Sequence, residues 1–389
     1  MRIGIMAHNM RVAGGLSVGL NIISAFRRLA DQHEYWLSLP RGVGYEDAEL
    51  PSRAEILWYT PAGVRRQFQF ERGELPRSAA AFRPDVIWGL GNFVTRVPGA
   101  KHIVLLNDSH CAYGGRHHQD MALRSRITVW AAVQRLKKSM KFADLLLVQT
   151  NTMAKRVRSK LRYRGPIGLC PNAVSRYTDV APAEAPPVFE KLRGRFVLFC
   201  LAKFYPHKNL RILADAFEQH GDALRDVTVL LTVAPDHDPR APEFIRRIDQ
   251  PRLREHLVNV GPLPQSALAA YYQHSRGMIL PTVLESFSAT HLEAMRFACP
   301  ILTSDLDFAR DVCGDAAIYF DPWNPASIRD AILQLRNSPD LGRELAERGT
   351  RRLEQVFQSW DEIVGRVLQQ MESLVAGRPT PYLVDTSAV

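Results

Sequence analysis

The sequence predicts an α/β protein made of two successive parallel-sheet units. Three observations carry this. Short apolar runs of strand length alternate with longer amphipathic stretches, the pattern of a parallel sheet with helices on both faces. The alternation stops in an Ala- and Pro-rich stretch at 176–194 and then restarts. A length of 389 residues suits two or three domains.

In the first half, 2–6 reads as a strand and 16–30 as a helix. Further buried strands are expected at 85–88, 103–106 and 145–148, with helical periodicity over 124–142. After the linker, strands are expected at 196–201, 227–233, 277–280 and 301–303. Helices are expected at 210–219, 265–274 and 288–298. A last helix, 360–374, carries apolar Ile363, Val364, Val367, Leu368, Met371 and Leu374 on one face. The residues beyond it, 377–389, read as frayed or loosely docked. The expected division is therefore 1–175, a linker 176–194, 195–358, and a helix with tail at 359–389.

Charge is uneven along the chain. Residues 1–175 carry 26 Lys and Arg against 12 Asp and Glu, a balance of +14. The remainder carries 24 against 28, a balance of −4. A basic first half is either a solvated helical face or a surface for something anionic, such as a membrane. No helix-turn-helix, zinc finger or RNP-like motif accompanies it, so nucleic acid is not the expected partner. The five cysteines form no C-x-x-C pair, which signals neither a disulfide framework nor a zinc site. A reducing, cytoplasmic setting is expected, with a peripheral place on the inner face of a membrane as an option. The first apolar run is too short for a signal peptide, and no apolar run approaches membrane-spanning length.

The chemistry-bearing segment is Glu285-Ser286-Phe287-Ser288-Ala289-Thr290-His291-Leu292-Glu293-Ala294. Its first carboxylate lies in a loop of small residues and its second in the helix that the loop opens. Free N–H groups at a helix start can hold a phosphate, here from Phe287, Ser288 and Ala289. The flanking carboxylates can grip sugar hydroxyls. Spacing alone is a weak signal, because acids eight apart are common on solvated helices. Upstream, Lys203 and Lys208 follow a strand and suit a diphosphate leaving group, whose developing charge they would offset. The turn from Asn259 to Leu263, with Gly261, can place backbone against a nucleobase. In the first half, Gly14-Gly15 follow the first strand and permit close backbone approach to a ligand. Asn107, Asp108 and His110 follow the strand at 103–106, and His8 and Asn9 end the first strand.

The order Lys203, Lys208, Gly261, Glu285, Glu293 resembles the retaining glycosyltransferases of family 4, which have the GT-B fold. That family reads G-R-x4-K at the first site; here Ala202 and Lys203 replace the first two residues and Lys208 matches the last. It reads E-G-F-G-x-x-x-x-E-A at the second; here Ser286 and Ser288 replace the glycines. Pro171-Asn172-Ala173-Val174, Cys299-Pro300-Ile301-Leu302-Thr303-Ser304-Asp305 and Phe357-Gln358-Ser359-Trp360 resemble further family segments.

The resemblance implies two Rossmann-like domains facing across a cleft, with the last helix crossing back to the first domain. Lys203 and Lys208 would bind the diphosphate of a UDP- or GDP-sugar, Glu285 the transferred sugar, and Glu293 the ribose. Gly14, Gly15, Gly261, Leu263, Ser286, Phe287, Ser288 and Ala289 would complete the donor site. Asp108 and His110 would act near the anomeric carbon, where the family often has a His-Asp pair and this chain has Asn107. The nucleotide sugar is a substrate, so no cofactor is implied, and the acceptor would be a glycan, a lipid-linked sugar or a small molecule. No metal is expected, because lysines supply the positive charge. Asp305-Leu306-Asp307 matches a metal-binding string but falls past a strand, where a loop is the expected role. The rival readings are a nucleotide-sugar epimerase of the same architecture and a catalytically inactive transferase-like binding subunit.

Overall fold

The computed structural model describes residues 1–11, 13–118, 121, 123–174 and 184–385. The chain divides into two compact units. One comprises 1–114, 122–173 and 358–389, the other 115–121 and 174–357.

Unit 1 opens with β1 (Arg2–Met6), α1 (Ala13–Leu29), β2 (Glu34–Pro40), β3 (Ala54–Tyr59), α2 (Gly63–Arg72) and α3 (Glu74–Phe82). It continues with β4 (Val86–Gly89), β5 (Lys101–Leu106), α4 (Leu123–Met140), β6 (Leu145–Val148), α5 (Asn151–Lys160) and β7 (Ile167–Leu169). The sheet is parallel, in the order β3-β2-β1-β4-β5-β6-β7. Strands β1, β4, β5 and β6 are short apolar runs buried on both faces, as a covered parallel sheet requires. The sequence reading placed no strand between 31 and 84, yet β2 and β3 lie there. Ser38 interrupts the apolar run of β2, and it is tolerated because its hydroxyl meets His8 Nδ1 at 3.2 Å. Strand β3 is a half-exposed edge and so carries a weaker apolar signal.

Unit 2 comprises α6 (Pro187–Lys191), β8 (Phe196–Cys200), α7 (Arg211–His220), β9 (Val227–Leu231), α8 (Ala241–Ile248), β10 (Leu257–Asn259) and α9 (Gln265–His274). Then follow β11 (Gly277–Leu280), α10 (Ala289–Arg296), β12 (Ile301–Ser304), α11 (Asp307–Cys313), β13 (Ala317–Phe320), α12 (Pro325–Asn337) and α13 (Pro339–Val356). Its sheet is also parallel, in the order β10-β9-β8-β11-β12-β13. The expected linker is not featureless throughout. Pro187 starts α6, whose Val188 and Phe189 pack on the unit 2 core, while 175–183 lie outside the described residues.

Helix α14 (Trp360–Val375) returns to unit 1. Ser359 and Glu362 form a capping box at its start. Trp360, Ile363, Val364, Val367 and Met371 enter the unit 1 core, and Asp361 pairs with Arg28 of α1. The tail is not frayed through 385. Val384 N–H donates to Ile167 O at 2.8 Å, Leu383 bridges Gly168, and Gln370 donates to Pro381 O at 3.0 Å. Gly168 makes this fit: a Cβ there would stand 2.8 Å from Gln370 Nε2 and 2.9 Å from Leu147 Cδ2. Residues 386–389 lie outside the described chain.

Candidate active site

In an open parallel sheet, ligands bind at the carboxyl ends of the strands, where the strand order reverses. In unit 2 that point lies between β8 and β11. The loop after β8 carries Lys203 and Lys208, and the loop after β11 carries Glu285. The two loops are tied at one carbonyl: His207 O accepts from Val283 N at 2.8 Å and from Thr282 Oγ1 at 3.0 Å. Lys208, ending a 3-10 turn, forms an ion pair with Glu285 Oε1. Thr282 Oγ1 lies 3.1 Å from the same oxygen. Both charges are largely shielded from water, so neither is cheap to leave alone. Lys203 stays exposed on the same loop.

Glu285 leads into α10. Ser288 takes the N-cap position in extended conformation but makes no side-chain cap bond. The His291 N–H donates to Ser288 O at 3.2 Å, while the N–H of Ala289, at the helix start, has no partner inside the helix. Neither Ser286 nor Ser288 has a positive φ, so the loop needs no glycine for its own backbone. Both serines are buried, and Phe287 is anchored edge-on against Phe357 at 5.8 Å. Glu293, two turns into the region, is buried and accepts from Tyr272 Oη at 3.0 Å.

Neighbouring strand ends hold the rest. Asn259 Oδ1 accepts from Val233 N at 2.9 Å and Gly261 N at 3.3 Å, joining the ends of β9 and β10. Gly261 has φ +76°, a left-handed conformation that favours glycine. Leu263 packs partly onto the core. His237 Nδ1 accepts from both Phe204 N and Ala234 N at 3.1 Å, bracing the Lys203 loop.

Sequence reasoning missed His291, Thr282, Thr303, Tyr272 and His237. His291 is fully buried with Nε2 3.0 Å from Thr303 Oγ1. Its Nδ1 has no hydrogen-bond partner among the described residues. Burial pushes its pKa down to about 4; Glu285 opposes the shift and Lys208 adds to it. The ring is therefore neutral at pH 7. Only its place beside the glutamate motif could have flagged it. Asp305 and Asp307 serve α11: Asp305 pairs with Arg310, and Asp307 Oδ1 accepts from Phe308 N at 2.9 Å.

Unit 1 has its own reversal, between β1 and β4. Gly14 and Gly15 were expected in a loop before a helix at 16; they lie in the first turn of α1. Among the described residues, no atom beyond the adjoining residues and the helix's own backbone is within 4 Å of a Cβ placed on Gly14, so tertiary packing does not demand glycine there. Met10 Sδ lies 3.9 Å from a Cβ built on Gly15 and 3.5 Å from Asn107 Nδ2. Asn92 Oδ1 accepts from Asn107 N at 2.9 Å and Asp108 N at 3.1 Å. The ends of β1, β4 and β5 thus converge. Asp108 caps the 3-10 turn Ser109–Cys111, accepting from His110 N at 3.0 Å, and His110 is half-buried.

His8 does not reach the surface. It is 1% exposed, packed edge-on against Tyr59 and Phe70, with Nε2 3.4 Å from Glu71 Oε1. Glu71 pairs in turn with Arg135 at 2.7 Å, and Asn9 Oδ1 accepts from Gln67 at 2.9 Å. His8 and Asn9 are thus held in a polar network of unit 1.

Residues 184–352 match the family model described as Glycosyl transferases group 1. The match spans most of unit 2 and less than half of the chain. A 206-residue stretch is 27% identical to the O-antigen chain mannosyltransferase B of Escherichia coli, covering 51% of this chain and 52% of that protein. The chain thus matches about half the length of that curated relative. Among solved structures, sucrose-phosphate synthase from Thermosynechococcus elongatus superposes with a TM-score of 0.78 at 15% identity, over 97% of this chain and 100% of that one. Anabaena HepE in complex with UDP-glucose superposes with a TM-score of 0.73 at 14% identity, over 97% and 100%. The fold is that of the GT-B glycosyltransferases, with two Rossmann-like units in one chain.

Proposed function

We propose that the protein is a retaining glycosyltransferase that moves a sugar from a UDP- or GDP-sugar to a glycan or lipid-linked acceptor. The observation that carries this reading is the Lys208–Glu285 pair at the reversal point, in front of the open first turn of α10. It lies inside the segment that matches the group 1 model. Lys203 and Lys208 hold the diphosphate, with the N–H groups of Phe287, Ser288 and Ala289. Glu285 takes hydroxyls of the transferred sugar when Lys208 turns to phosphate. Glu293, oriented by Tyr272, takes the ribose, and the Gly261–Leu263 turn meets the base.

The reaction needs no covalent enzyme intermediate. As the glycosidic C–O bond breaks, its electron pair goes to the diphosphate, which lysine charge and helix N–H groups stabilise. The acceptor oxygen bonds to the anomeric carbon on the same face, and its proton passes to the departing phosphate oxygen. This differs from the two-carboxylate scheme of glycosidases, because Glu285 and Glu293 bind hydroxyls. Neither a resident cofactor nor a metal takes part in this reading. Gly14, Gly15, Asp108 and His110 belong to the acceptor-side unit. A cytoplasmic protein touching an anionic membrane through its basic first half suits a lipid-linked acceptor. The relatives agree in kind: one is named for mannosyl transfer to an O-antigen chain, and another was solved with UDP-glucose.

The test is a thermal-shift screen against UDP, GDP, ADP and their sugars. A ligand at about a hundred times its Kd stabilises by roughly 2.7 kcal/mol. One nucleotide class should give that shift, and Glu293→Ala should abolish it while the unliganded protein stays folded. No shift with any nucleotide, or an unchanged shift in Glu293→Ala, sinks the donor site. Conversion of donor to an isomer without acceptor would replace transfer by epimerisation.

A further inference from the structure

We infer that unit 1 holds a second ligand site, for a phosphate group attached to an apolar chain. It is the cavity of about 330 Å³ between α2, α4 and the loop after β4. That volume is at the small end of ligand pockets. The site is independent of the donor site and does not rest on the transferase reading.

The walls are aromatic. Phe68 comes from α2, Phe93 from the loop, and Phe142 from just beyond α4. Four cations line the same space: Arg72, Arg96, Arg135 and Lys138. One carboxylate, Glu71, joins them. Its charge is already used. Arg135 pairs with it at 2.7 Å, and Gln67 donates to it at 2.9 Å. Burial raises the Glu71 pKa, but the bond to His8 and the Arg135 charge outweigh this and hold it at about 2. His8 on its far side is lowered by burial, so it adds no charge at neutral pH. Arg135 and Glu71 cancel. Arg72, Arg96 and Lys138 remain, and among the described residues none has an ion-pair partner.

Two of these positions have a helix-end explanation. Arg72 and Lys138 stand in the last turns of α2 and α4, where a cation offsets the helix dipole. Arg96 stands in the loop, where no helix end accounts for it. The guanidinium of Arg72 rests 4.0 Å above the Phe68 ring, and that of Arg135 4.7 Å above Phe93. Positive charge is thus stacked directly on the apolar wall. An inorganic anion would satisfy the cations and leave the rest of the aromatic wall to water. An apolar molecule would do the reverse. A phosphate ester of an acyl or isoprenoid chain satisfies both. The same helices expose Val64, and Leu123, Ile127 and Trp130 at helical spacing, over which such a chain can continue.

The experiment titrates the full chain with geranyl phosphate, geraniol and inorganic phosphate by calorimetry. Flotation with phosphatidylcholine vesicles, with and without phosphatidic acid, runs in parallel. Geranyl phosphate should bind at least tenfold more tightly than either half-molecule. The double variant Arg96→Ala/Lys138→Ala alters two exposed side chains. It should lose at least tenfold of that affinity with an unchanged melting point and an unchanged response to nucleotides. Geranyl phosphate binding together with phosphatidic acid-dependent flotation assigns a bilayer lipid, and binding without flotation assigns a soluble lipid phosphate. Equal binding by the variant overturns the site, as does inorganic phosphate binding as tightly as geranyl phosphate.

Discussion

Lys208 and Glu285 are 77 residues apart and meet only because β8 and β11 are neighbours in the sheet. The motif spacing identified both residues, but not that they neutralise each other in the unliganded protein. Removing either strands a shielded charge, so Lys208→Ala should unfold more easily than wild type as well as lose donor affinity. The double variant should recover part of that stability, with a coupling of about 1–3 kcal/mol in a denaturant cycle. Additive losses would mean that the pair contributes nothing. His291 offers a separate test. Its folded pKa of about 4 lies below the ordinary 6.5. Between those values the unfolded chain binds more protons, so the contribution is complete above about 6.5 and is lost as pH falls. The loss reaches about 3 kcal/mol, and His8 and His102, also lowered by burial, act in the same direction. Urea midpoints across that window should slope less in His291→Gln; an identical slope would show that His291 does not titrate there.

At the scale of elements, sequence pattern located β1, β4, β5, β6, β8, β9, β11 and β12 and the helices α1, α4, α7, α9, α10 and α14, but not β7, β10, β13 or the other eight helices among the described residues. It missed β2 and β3, where a polar residue or an exposed edge weakens the pattern and cross-strand partners supply the stability. It also left the tail loose, because single hydrogen bonds to an edge strand have no periodicity. The structure makes a definite prediction here. Deleting 378–389 removes the Val384–Ile167 and Gln370–Pro381 bonds, which should cost unit 1 about 1–2 kcal/mol. Hydrogen exchange in β7 should quicken while unit 2 amides stay protected. Uniform acceleration in both units would refute a local role. Ser359→Ala should separately cost about 1 kcal/mol by opening the α14 capping box.

For the whole molecule, the positive charge is concentrated in residues 124–164, which carry 12 Lys and Arg against one acid. The balance of +14 over 1–175 against −4 afterwards predicts salt-sensitive binding to anionic vesicles. Raising salt from about 50 to 500 mM should release most of the protein. Equal binding at both would rule out an electrostatic contact. No helix among the described residues is long and apolar enough to cross a membrane.

The sequence by itself determined two parallel α/β units, the basic bias of the first, and the order of lysines and glutamates along the second. These properties are local: strand and helix periods, loop composition and motif spacing are written in consecutive residues. Only the tertiary structure decided which groups meet. It paired Lys208 with Glu285, buried His8 against Glu71 across 63 residues, placed neutral His291 behind the site, and assembled an aromatic, cationic cavity from α2, α4 and a loop. A period tells which face of an element is apolar. It carries no record of the distant side chain that will cover it, and the chemistry of a site depends on that partner.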